Sequence, residues 1–169
     1  MKRIFLIVFF VLLSMCELGF VSALPFPVDR LPLVLVASVF LFQSLDVRPA
    51  AWWMVLHGVF LDLLQTSSIR FEIVPHAVAA LVLVLASRHL FSNRSFWGVL
   101  GTFALSLFAL SCTEILLSIF QALFEDFSLS FDVLVAMRLW GLGLGTLLLL
   151  IFFPLTELLT RAQKNLLSF

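Results

Sequence analysis

The sequence has no tyrosine, two cysteines and very little charge. Asp, Glu, Lys and Arg make up 12% of it, where a soluble domain carries about 25%. So few charges cannot coat a globule of 169 residues, which excludes a soluble enzyme. The same composition excludes a disordered tail, which would be poor in apolar residues. Cys16 and Cys112 both stand inside apolar runs. They read as small core residues, so a disulfide scaffold and a cysteine-based metal site are excluded too. Ten basic residues balance ten acidic ones, leaving no bulk positive field to attract nucleic acid.

What the chain has is apolar mass. It is 63% hydrophobic, with 20 Phe and 4 Trp, and its mean hydropathy is +1.19. These values point to an all-α polytopic membrane protein forming one domain over residues 1–169. Six apolar runs are present: Ile4–Leu24, Leu31–Leu45, Ala50–Leu64, Ile73–Phe91, Phe96–Phe124 and Val133–Leu155. A helix needs roughly 20 residues to cross a bilayer. The first, fourth, fifth and sixth runs reach that length. The second and third rise only ~22 Å each. They either cross where the bilayer thins or form a re-entrant hairpin shielded from lipid. The expected architecture is a bundle of six transmembrane helices.

Orientation follows from positive charge. With the N-terminus in the cytoplasm, Lys2, Arg3, Arg48, Arg88, Arg94, Arg161 and Lys164 lie at inner ends. Arg30, Arg70 and Arg138 lie at outer ends. Both termini are therefore expected in the cytoplasm. Val21-Ser22-Ala23 fits a signal-peptide cleavage site, but the length of the first run and the five spans behind it favour an uncleaved helix. After Pro154, apolar residues recur at helical spacing, with Glu157, Arg161 and Lys164 on other faces. The 155–169 tail is expected either to lie as an amphipathic helix on the membrane surface or to extend the last span.

Polar residues inside apolar runs need partners, because an ionised group at mid-bilayer costs at least ~2.5–3.5 kcal/mol. Gly58 and Asp62 are four apart and share a helix face. Glycine admits a neighbouring helix, and the carboxylate can meet a partner or cap a following helix, although its position near the end of the run favours an acid at the water interface. Ser111, Glu114, Ser118 and Gln121 form one polar stripe, which must face the bundle interior or a wet cavity. Arg138 shares a face with Gly141 and Gly145, a small-xxx-small packing element. Its long side chain is expected to reach Glu17 or Glu114. His57 lies ~140° around the helix from Asp62, so the two do not form a dyad. It reads as a hydrogen-bonded core residue. Glu72 and His76 read as a pair at the interface, with Pro75 in the first turn of its helix.

No Gly-x-Ser-x-Gly, His-Glu-x-x-His or phosphate-binding glycine loop is present. No catalytic, cofactor or metal residue is therefore assigned, and enzyme activity is not expected.

The run Gly58-Val59-Phe60-Leu61-Asp62-Leu63-Leu64 resembles the G-x-x-x-D-L-L signature of the bacterial rod shape-determining MreD family. An acidic, proline-containing stretch, Asp29-Arg30-Leu31-Pro32-Leu33, precedes the short apolar runs, as it does there. Thr66 and Arg70 stand where that family carries glycine. The resemblance implies a divergent member, with Gly58, Asp62, Leu63 and Leu64 as its motif. It implies a non-enzymatic scaffold of the cell-wall elongation machinery in the inner membrane, maintaining rod shape. Its partners would be an MreC-like single-pass protein and other membrane proteins of that complex. It also implies the six-helix shape of transporter substrate-capture subunits. The alternative reading is such a subunit itself, binding a vitamin or other small molecule. An outward-opening pocket near Glu114 with few aromatic plugs would favour that alternative, and an interior packed with Phe and Leu the scaffold.

Overall fold

The computed structural model describes residues 2–64, 71–93, 95–124 and 131–166, and every regular element among them is helical. Helix α1 (Lys2–Met15) continues through a π-helical turn at Cys16–Phe20 and a 3-10 turn at Val21–Ala23. Then follow α2 (Leu33–Ser44), α3 (Ala50–Leu64), α4 (Ile73–Leu85, prolonged by a π-helical turn at Ala86–Leu90), α5 (Phe96–Phe124) and α6 (Phe131–Leu166). Four stretches are long and apolar enough to cross a membrane: Ile4–Ala23, Ile73–Leu90, Phe96–Leu123 and Val135–Pro154. They are the four runs that length alone picks out in the sequence. The backbone of α6 passes through Pro154 without a break, so the 155–166 part of the tail extends the last helix. The 65–70 and 125–130 segments, with the glycine-replacing Thr66 and Arg70, lie outside the described residues.

The two short helices run between the same two levels as α4. At its start, α2 donates the Val34 amide to Glu17 Oε2 at 2.6 Å. At its end, Gln43 Nε2 donates to the carbonyls of Phe91 (2.6 Å) and Asn93 (2.9 Å), just beyond α4. Helix α3 then returns, and its last turn meets the first turn of α4 through Asp62. The 45–49 turn therefore sits level with the far end of α4.

Apolar and polar groups are sorted in the reverse of a soluble protein. Large side chains such as Phe5, Leu12, Trp97, Leu123 and Leu139 are exposed around the periphery. Ser14, Ser38, Thr102, Ser106 and Ser118 are buried between helices. Small polar residues let helix backbones approach where lipid gives no hydrophobic drive to associate. The core itself is aromatic and aliphatic. Phe10 packs on Trp53 and Phe60, with ring centroids 5.7 and 5.8 Å apart. Phe40 meets Phe152 at 6.1 Å, and Phe96 meets Phe153 at 5.7 Å.

The glycines of α6 behave as the sequence spacing suggests. Gly141 is buried against the Arg30 carbonyl, 3.2 Å from where a Cβ would stand. Gly145 faces the fully buried ring of Phe103, and a Cβ there would collide with it. Gly143 points away, with nothing within 4 Å. Gly145→Val should therefore destabilise the bundle by about 1–3 kcal/mol, the usual cost of overpacking. Gly143→Ala should be neutral or stabilise by up to ~1 kcal/mol through helix propensity. Unfolding of both variants in mild detergent, followed by circular dichroism, checks the contrast.

Candidate functional site

At the end of the bundle where α2 and α4 begin, all six helices converge on one cavity of about 580 Å³. Its polar lining comes from Glu17 in the π-helical turn after α1, His57 on α3, Glu72 and His76 at the start of α4, Glu114 on α5 and Arg138 on α6. The linker between α1 and α2 adds Asp29 and Arg30, paired at 3.0 Å. The apolar lining includes Leu35, Met54, Leu107, Leu110 and Met137. Among the described residues, no Phe or Trp lines it. The aromatic core lies elsewhere in the bundle.

Two carboxylates carry the architecture of this end. Neither α2 nor α4 has a side-chain cap of its own: Pro32 precedes α2, and Glu72 at the start of α4 makes no capping bond. Each helix would expose unpaired amides inside the bundle. Glu17 accepts from the Val34 amide and so closes the start of α2. Asp62 accepts from two amides of the α4 start, Glu72 N at 2.7 Å and Ile73 N at 3.0 Å. The cap is one of the roles open to Asp62 in the sequence, where its position alone favours a solvated acid at the interface. Gly58, one turn earlier, makes the approach possible. A Cβ on Gly58 would stand 2.8 Å from Ile73 Cα and 2.9 Å from the Glu72 carbonyl oxygen. Those are backbone atoms, so the contact cannot yield without moving α4. The other motif residues do not join this contact: Leu63 and Leu64 are exposed at the periphery.

Arg138 pairs with Glu114, one of the two partners expected for it. Glu17, the other, turns instead to α2 and to His57, whose Nε2 lies 3.7 Å from Glu17 Oε1. The stripe on α5 does face inward, with Glu114 and Ser118 buried. Only Glu114 of the four lines the cavity. Ser111 donates back to the Leu107 carbonyl of its own helix at 2.7 Å. Ser111, Ser118 and Gln121 are thus not cavity wall.

The histidines depart most from the sequence reading. His57 does have neighbours: besides Glu17, its ring lies 5.5 Å from that of His76. The Nδ1 atom of His57 is buried with no hydrogen-bond partner. His76 is buried rather than interfacial, as is Glu72, and its Nδ1 lies 2.8 Å from the Glu72 carbonyl oxygen. The cluster spans separate helices, so no spacing along one helix announces it. The nearest signal in the sequence is that Glu17, His57, Glu114 and Arg138 each break an otherwise apolar run. Among the described residues, no three His, Cys, Asp or Glu side chains are placed to hold a metal ion.

No family model, curated protein or solved structure matches the chain. The site is therefore read from its own chemistry. The α3–α4 contact makes a direct prediction. Asp62→Ala should destabilise by about 1–2 kcal/mol through loss of a helix cap, and Asp62→Asn by less, because the amide oxygen still accepts. Gly58→Ala should cost about 1–3 kcal/mol by forcing the two backbones apart. Because both residues serve one contact, the double variant should cost less than the sum. Chemical denaturation in mild detergent measures all three; a wild-type midpoint for Gly58→Ala would refute the tight contact.

Proposed function

We propose that this chain is a non-enzymatic membrane scaffold of the bacterial cell-wall elongation machinery, a divergent member of the MreD family. The observation that supports this reading is the use made of its motif. Gly58 and Asp62, which carry the resemblance, together build the α3–α4 contact, one by close approach and the other by capping. A motif residue with a defined structural task is better support than a match of letters. In this reading all six helices cross the inner membrane. The levels at which α2 and α3 begin and end support that count. The distribution of Lys and Arg puts both termini in the cytoplasm and the cavity on the outer side. The partner is a single-pass, mostly periplasmic protein of the MreC type.

A second reading is favoured by the cavity. A pure scaffold gains nothing from a recess of about 580 Å³ lined by converging charged groups and, among the described residues, by no Phe or Trp. Ligand sites typically have ~300–1,000 Å³ and a few placed polar groups. Intramembrane ionisable residues commonly mark such sites. The chain in this reading captures a small molecule from the outer side.

The scaffold reading expects rod-shaped cells of the source organism to widen or round up when the chain is depleted. It also expects a tagged copy to retain a single-pass periplasmic partner in near-stoichiometric amount. Unchanged cell width together with purification of the chain alone would overturn it. Normal cell shape with a small molecule co-purifying in stoichiometric amount would favour the second reading.

A further inference from the structure

We infer that the cavity lined by Glu17, His57 and Arg138 binds an alkylammonium group, the cationic part of an organic amine. The inference rests on the second reading above, that the cavity holds a ligand. Its first ground is charge. Four carboxyl groups line the cavity, Glu17, Asp29, Glu72 and Glu114, against two guanidinium groups, Arg30 and Arg138. Each guanidinium is already paired, Arg30 with Asp29 and Arg138 with Glu114. An anion would find no uncommitted cation on this wall.

The second ground is the helix starts. The N-termini of α2 and α4 would ordinarily attract an anion. Here both are occupied by carboxylates of the chain itself, Glu17 and Asp62. A ligand therefore meets Glu17 at the start of α2 rather than bare amides, while Asp62 closes α4 from outside the cavity lining. The third ground is unfilled acceptor capacity. Glu17 Oε2 serves the Val34 amide, while Oε1 has only His57 Nε2 near it, at 3.7 Å, too far for a hydrogen bond. Asp29 Oδ1 is buried with no hydrogen-bond partner. His57 Nδ1 is likewise buried without a partner, on a residue 3% exposed, and it accepts in the tautomer whose Nε2–H points to Glu17. An ammonium carries three N–H donors and no acceptor, which suits a wall of unfilled acceptors. The apolar lining from Leu35, Met54 and Leu107 would take the alkyl part.

The methionines give a built-in reporter. Met54 and Met137 line the cavity, whereas Met15 faces the periphery. The full chain, labelled with [13C]methyl-methionine, is placed in phosphatidylglycerol nanodiscs and titrated separately with butylammonium chloride and sodium butyrate. The expected result is a saturable shift of the Met54 and Met137 signals with butylammonium, an unmoved Met15, and no such shift with butyrate. Glu17→Gln keeps an acceptor for the Val34 amide and removes the charge. It should weaken butylammonium binding by about tenfold or more, as loss of a charge-assisted bond implies. If that variant does not fold, the wild-type comparison of the two probes decides alone. Butyrate shifting the signals as strongly as butylammonium would overturn the cation assignment and leave the ligand reading intact. Silence of Met54 and Met137 to both probes would overturn the inference together with the capture reading. Repeating the titration in phosphatidylethanolamine nanodiscs identifies the source of the ammonium. If the lipid alone reproduces the shift and butylammonium adds nothing, the headgroup is the ligand. If butylammonium still titrates the signals, the ligand comes from solution.

Discussion

The structure depends on one constraint: a helix that begins inside a membrane bundle must have its first amides satisfied there. Water is not available at the bundle interior to do it, and each unmet group costs several kcal/mol. Helices α2 and α4 begin without a capping side chain of their own. The chain meets the need from a distance. Glu17 reaches α2 from the turn after α1, and Asp62 reaches α4 from the end of α3. These two carboxylates fix how two helical connections, α1–α2 and α3–α4, fold back. They also explain why acidic residues occur at all in such apolar runs.

The same arrangement divides the bundle into two unlike parts. Away from the caps, Phe10, Trp53, Phe40, Phe103 and Leu149 fill the interior. At the capped end, the 24–32 connection has only short 3-10 turns, and Asp29, Arg30, Leu31 and Pro32 line the cavity. Irregular backbone at membrane depth persists only where protein or a wet recess surrounds it. The recess is thus tied to the late start of α2.

Much of this could be read from the sequence, and the limit has a physical form. Features carried by one helix were legible. Length marked four spanning stretches, and i, i+4 spacing put Gly58 with Asp62 and Gly141 with Gly145. Depth along the chain gave Arg138 two candidate partners, one of which it takes. Features that need several helices at once were not legible. His57 looks solitary because its neighbours Glu17 and His76 lie on other elements. The stripe on α5 has the right period, yet only Glu114 opens onto the cavity, because periodicity gives the face and not the depth at which a neighbour ends. Leu63 and Leu64 show the converse: they belong to the motif by letter but stand at the periphery.

The cavity's charge follows from the caps that create it. Helix N-termini carry partial positive charge, and transporters use such ends to hold anionic ligands. A carboxylate placed permanently on each end neutralises that charge and leaves the acid's remaining lone pairs turned toward whatever space lies beside it. At Glu17 that space is the cavity, with Oε1 left over from the Val34 bond. The two arginines do not reverse the sign, since Asp29 and Glu114 already face them. A design that solves the folding problem of two buried helix starts with fixed acids thereby sets the polarity of the recess.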